Sequence, residues 1–129
     1  METGHNAKRD LEGMLVLLVE DDTFIMLDLE AILSEAGATV VGPCRSANEA
    51  LPLIDGARLD AAIIDFGLDG DTAAPIATRL TRRGTPFLFY TGQVEADPRL
   101  AEWQHASILQ KPARPAAIVA AVKALRFAG

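Results

Sequence analysis

A chain of 129 residues, half of them apolar, suffices for one domain with a buried core and is too short for two. Its formal charge of −6 comes without a basic cluster, which excludes the electrostatic footprint of a nucleic-acid binder, and its single cysteine, Cys44, excludes an internal disulfide and multi-cysteine metal sites. No apolar run nears the roughly 18 residues of a membrane span, and the opening METGHNAKRD lacks the apolar core of a signal peptide, so the expectation is a cytoplasmic protein that touches neither membrane nor nucleic acid.

Residues 1–13 read as a polar, flexible lead-in and residues 14–129 as the folded domain. MLVLLV (14–19) is an uninterrupted apolar run, as buried parallel strands are. Residues 23–36 carry Ile25, Leu29, Ile32, Leu33 and Ala36 at helical spacing, with Gly37 as the stop. TVV (39–41) is a second strand ending in Gly42 and Pro43, without charge. In residues 46–55, Ser46 and Glu49 fit a capping box. AAIID (61–65) is the third strand, residues 72–83 a helix ending in basic residues before Gly84, and PFLFY (86–90) the fourth strand. Asp97 and Pro98 suit the start of a short helix reaching Trp103; SILQ (107–110) is the fifth strand and residues 115–127 an alanine-rich final helix.

Strand and helix thus alternate, which predicts an α/β fold of the flavodoxin-like, doubly wound kind: a five-stranded parallel sheet, order 2-1-3-4-5, with helices on both faces. Ligands of such sheets bind beyond the carboxyl ends of the strands. Strand one ends in Glu20, Asp21 and Asp22, strand three in Asp65; strand four is followed by Thr91 and strand five by Lys111 and Pro112. In that strand order the four functionalised ends are neighbours. Like charges about 4 Å apart at an effective dielectric near 20 repel by roughly 4 kcal/mol, so the acids need a reason to be together. Asp22 suits a helix cap. The others, with one hydroxyl and one ammonium, can hold Mg2+ and a phosphoryl group, since Mg2+ prefers carboxylate, water and phosphate oxygens.

The acidic pair in LLVEDD, the aspartate in AAIIDFGLDG, FYTG after strand four and LQKP after strand five, in this order and spacing, resemble the receiver domain of two-component response regulators, from Met14 to Phe127. The resemblance implies that Asp65 is the phosphoacceptor, that Glu20, Asp21, Asp65 and the backbone carbonyl of Gly67 hold Mg2+, and that Thr91 and Lys111 contact the phosphoryl oxygens. It also implies a cis bond before Pro112, a histidine kinase or histidine phosphotransfer protein as donor, and a downstream protein partner. Two features depart from the common pattern: Ile108 stands where receivers usually carry a switching Tyr or Phe, and FGLDGD lacks the usual proline after the leucine. PFLFYTGQ is similar to the Phe-Ala-Thr-Gly motif of stand-alone alphaproteobacterial receivers, with Tyr90 in place of the alanine. Ile108 itself reads as core packing.

Three other readings share these residues. A flavodoxin-like cofactor module would want a phosphate-cradling loop where this chain has three acids. A Mg2+-dependent phosphohydrolase would need room for a substrate cap, and a receiver-like docking module would have no use for intact Asp65, Thr91 and Lys111. The final helix is apolar almost all round; its surplus alanines and Phe127, with Phe24 and Met26 on the first helix, form a candidate contact surface for a protein partner or for a homodimer.

Overall fold

The computed structural model describes residues 10–66, 73–92 and 106–126. Among them, strands and helices alternate as β1 (Leu15–Val19), α1 (Thr23–Glu35), β2 (Thr39–Cys44), α2 (Ala47–Gly56), β3 (Ala61–Asp65), α3 (Ala73–Arg82), β4 (Phe87–Thr91), β5 (Ser107–Gln110) and α4 (Pro115–Leu125). The strands form one sheet in the order β2-β1-β3-β4-β5, and every neighbouring pair is parallel. The short helix expected from Asp97 to Trp103 lies outside the described residues.

Alternation along the strands explains the two-sided core, because successive side chains of a strand point to opposite faces. Val16, Leu18, Ile63 and Leu88 pack with Leu29 and Leu33 of α1 and with Ile118, Val122 and Leu125 of α4. The intervening Leu17, Val19, Ala62, Ile64 and Phe89 pack with Ala50 and Ile54 of α2 and with Ile76, Ala77 and Leu80 of α3. A strand buried on both faces must be apolar at every position, which is why β1, β3 and β4 stand out in the sequence.

Local chemistry sets the helix ends. Asp22 caps α1, its carboxylate accepting from the Ile25 amide at 3.0 Å. Ser46 caps α2 and accepts from Glu49 at 3.4 Å, while the Glu49 carboxylate reaches back to the Arg45 amide at 2.8 Å, one residue earlier than a capping box requires. Gly37 ends α1 with φ +103, and a Cβ there would lie 2.8 Å from the Glu12 Cα, so the turn suits glycine alone.

The structure differs from the sequence reading in four places. Leu11 is fully buried in the core and donates its amide to the Ala36 carbonyl at 2.8 Å, so the packed unit reaches back into residues read as flexible lead-in. Strand β2 runs on through Gly42 and Pro43 to Cys44, which places the charged Arg45 directly at its end. On α1, Phe24 is exposed as expected, but Met26 packs against the core and Leu27 takes its place at the surface. Ile108, expected in the core, is 39% exposed on edge strand β5. On α4 the buried stripe is Ile118, Val119, Val122 and Leu125, and Ala116, Ala117, Ala120 and Ala124 are exposed; Phe127 lies outside the described residues.

Leu11 gives the packing its test. Leu11→Ala should cost about 2–5 kcal/mol in urea unfolding, as for other buried leucines; a cost below about 0.5 kcal/mol, the range of surface changes, would return this turn to the lead-in.

Candidate functional site

The site is built where the neighbouring strands β1, β3, β4 and β5 end. Glu20 follows β1, and its amide donates to the Cys44 carbonyl at 2.9 Å, tying the turn to the end of β2. Its carboxylate is almost wholly buried, and one oxygen accepts from the Asp22 amide at 3.2 Å. Asp21 is exposed beside it. The Arg45 guanidinium donates to the Asp21 carbonyl at 2.9 Å and also to the Thr23 hydroxyl, bracing the acidic turn from β2. Asp65, buried, is the last residue of β3; the next residue, Phe66, meets Phe89 edge to face at 4.8 Å, which anchors the chain just past it.

Lys111 follows β5. Its amide donates to the Thr91 carbonyl at 2.9 Å, and its Nζ lies 3.2 Å from Asp65 Oδ1 and 3.4 Å from Glu20 Oε1. Burial disfavours the charged ammonium, but Asp65 and Glu20 more than offset this, so the Lys111 pKa ends above its ordinary value. Burial, then the Asp65 carboxylate beside it, push the Glu20 pKa up to about 7, against the Asp22 amide and Lys111, which pull it down. Among the described residues Glu20 Oε1 has no hydrogen-bond partner: the lysine stands at ion-pair distance without bonding geometry. Thr91 is buried as the last residue of β4.

Glu20, Asp21 and Asp65 each bring one carboxylate oxygen within 4.8 Å of the others. All three donors are hard oxygens, and one of the carboxylates carries a buried oxygen that the described residues leave without a hydrogen bond. A small divalent cation satisfies both conditions, so these residues fit Mg2+. The Lys111–Pro112 bond is cis, as the resemblance implied, and Gly42–Pro43 is cis as well.

Residues 16–123 match the family model described as the response regulator receiver domain. The chain belongs to that family. Receivers serve two-component signalling, and phosphorylation and Mg2+ binding are typical of them. The receiver is 27% identical over 129 residues to the phyllosphere-induced regulator PhyR of Methylorubrum extorquens, covering 98% of this chain and 48% of that protein. It therefore spans about half the length of this curated relative. The solution structure of SdrG from Sphingomonas melonis Fr1 is 32% identical and superposes with a TM-score of 0.73, covering 88% of this chain and 96% of that one. A response regulator receiver protein from Sinorhizobium medicae WSM419 is 26% identical, with a TM-score of 0.78 and coverage of 92% and 98%.

The structure thus brings together Glu20, Asp21, Asp65 and Lys111, and sets Thr91 at the adjacent strand end. Gly67 lies outside the described residues. Sequence reasoning missed Arg45 and Tyr90. Arg45 was hidden by the early end given to β2; Tyr90 was noticed only as a departure from a motif, although a tyrosine in a buried strand asks for a hydroxyl partner.

If a cation relieves the Glu20 charge, Glu20→Gln should leave the metal-free melting temperature unchanged or raised and weaken stabilisation by Mg2+. Mg2+ at a hundredfold excess over its Kd adds about 2.7 kcal/mol, and a site roughly tenfold weaker leaves about half of that. A clear loss of metal-free stability would instead make Glu20 a structural partner of Lys111.

Proposed function

We propose that this receiver accepts a phosphoryl group from a phosphohistidine donor onto Asp65, in a Mg2+-dependent reaction, and so acts as a signalling switch rather than a turnover enzyme. One observation carries the reading: a single ammonium, Lys111, lies 3.2 Å from Asp65 and 3.4 Å from Glu20 in a cluster of three carboxylates at the strand ends. The surplus of carboxylates suits a divalent cation, and the ammonium beside Asp65 suits the oxygens of an incoming phosphoryl group.

Glu20, Asp21 and Asp65 would hold Mg2+, with the Gly67 carbonyl as a further ligand; the ion supplies positive charge against the acids and the incoming phosphoryl oxygens. The Asp65 carboxylate attacks phosphorus, an O–P bond forms, and the P–N bond to the donor imidazole breaks with its electron pair returning to the ring. Lys111, already paired with Asp65 Oδ1, follows the negative charge as it moves onto the phosphoryl oxygens and keeps the transfer centre neutralised. The Thr91 hydroxyl donates to a phosphoryl oxygen and biases the backbone after β4 between two states. Water later hydrolyses the acyl phosphate and returns the Asp65 carboxylate.

The donor is a histidine kinase or a histidine phosphotransfer protein. Phe24, 83% exposed in the first turn of α1 beside the capping Asp22, offers such a protein an apolar anchor next to the acids, and Leu27 extends it. The output passes to a protein partner. Among the described residues no helix is long and apolar enough to cross a membrane, and we assign the switch to the cytoplasm.

Incubation with Mg2+ and phosphoramidate, a small donor that carries P–N chemistry, should raise the intact mass by one phosphoryl group. Asp65→Asn, which keeps the shape and removes the nucleophile, should gain none, and chelation of the metal should slow the wild type strongly. Equal labelling of the mutant would reject Asp65 as acceptor. Sustained release of phosphate from a small ester without a labelled intermediate would mark a phosphohydrolase.

A further inference from the structure

We propose that Tyr90 is a positioning residue for Lys111, acting through its hydroxyl. The inference rests on the reading of Lys111 as the group that follows the phosphoryl charge. Tyr90 pairs in register with Asp65 across β3 and β4 and with Leu109 across β4 and β5, so it stands between the acceptor strand and the strand that delivers the lysine. Residues paired in parallel register share a face of the sheet, so Tyr90 and Asp65 project to the same side.

Two contacts reach the Lys111–Pro112–Ala113 turn from there. The Tyr90 hydroxyl accepts the amide of Ala113 at 3.2 Å, and the Lys111 ammonium sits over the Tyr90 ring, 5.5 Å from its centroid. The neighbouring Thr91 carbonyl meanwhile holds the Lys111 amide at 2.9 Å. The turn Lys111–Pro112–Ala113 is therefore pinned to β4 at both ends, by the backbone of one residue and the side chain of the one before it. Proline supplies no amide of its own, so Ala113 carries the first donor after Lys111 that can fix this turn.

A phenylalanine would fill the same buried place and put the same ring under the ammonium, but it could not hold the turn. Without the hydroxyl the Ala113 amide loses this partner and the root of the Lys111 side chain is free to shift, so its ammonium keeps its ion pairs to Asp65 and Glu20 for less of the time. Transfer depends on where the ammonium stands to within fractions of an ångström, so a looser root slows the reaction without changing the metal ligands.

The test compares wild type with Tyr90→Phe, Lys111→Ala and the double variant. With phosphoramidate at saturating Mg2+, Tyr90→Phe should accept the phosphoryl group about three- to tenfold more slowly, bind Mg2+ within about twofold of wild type, and slow Lys111→Ala no further, since it acts through that lysine. An unchanged rate, or an equal slowing in the Lys111→Ala background, would overturn the proposal; the second result is what a purely structural tyrosine gives. A second readout needs no phosphoryl transfer. Under brief acetic anhydride labelling, the acetylation of Lys111 relative to Lys123, the half-exposed lysine on α4, should rise several-fold in Tyr90→Phe. If wild type accepts no phosphoryl group, the reading of Asp65 fails and this ratio still decides whether Tyr90 holds Lys111: an unchanged ratio refutes it.

Discussion

Among the described residues, three carboxylates share one corner of this fold with one ammonium. At separations of about 4–5 Å and an effective dielectric near 20, each pair of acids repels by roughly 3–4 kcal/mol, comparable with a large part of the net stability of a small domain. Lys111 offsets part of this, yet among the described residues a buried oxygen of Glu20 has no hydrogen-bond partner, and burial with the neighbouring Asp65 pushes the Glu20 pKa up. The corner persists because the sheet around it is over-determined. Strands apolar on both faces cannot slip register without burying a charge, and their ends fall where the register puts them. A divalent cation fits this imbalance.

The supports of the corner come from different elements, and each holds backbone rather than charge. The Cys44 carbonyl takes the Glu20 amide, Arg45 braces the Asp21 carbonyl, the edge-to-face pair of Phe66 and Phe89 fixes the chain after Asp65, and β4 holds the Lys111 turn. Thr91 belongs to the same stretch of β4 whose carbonyl holds the Lys111 amide. In the switch proposed above, a movement drawn from Thr91 would reach Lys111 through this hydrogen bond. Ile108, exposed on the edge strand and without a ring, has neither the burial nor the group to serve as the aromatic switch of common receivers.

The fold was legible because doubly buried strands leave continuous apolar runs, and because acids, hydroxyl and lysine falling just after such runs must meet if the strands are neighbours. Glu20, Asp21, Asp65, Thr91 and Lys111 were all singled out by that logic, and the strand order sets them at neighbouring strand ends. What escaped depended on contacts distant in sequence. Nothing local distinguishes Leu11 from a lead-in residue, since its burial comes from the Ala36 turn far along the chain. A Gly-Pro pair reads as a strand stop, and only pairing with β1 carries β2 past it to Arg45. Ile108 looked like core because isoleucine suits strands, whereas position at the sheet edge decides exposure. The partner of the Tyr90 hydroxyl lies on the far side of a strand crossing, where periodicity is silent.

Loss of labelling in a mutant shows that a side chain is needed, whereas locating the phosphoryl group shows where it goes. Borohydride reduces an aspartyl phosphate to homoserine, so treating the phosphoramidate-labelled protein with borohydride and sequencing its peptides by mass spectrometry tests the account most directly. The account predicts homoserine at position 65 alone, formed only when Mg2+ was present; homoserine or phosphate at any other residue, with position 65 still aspartate, would contradict it.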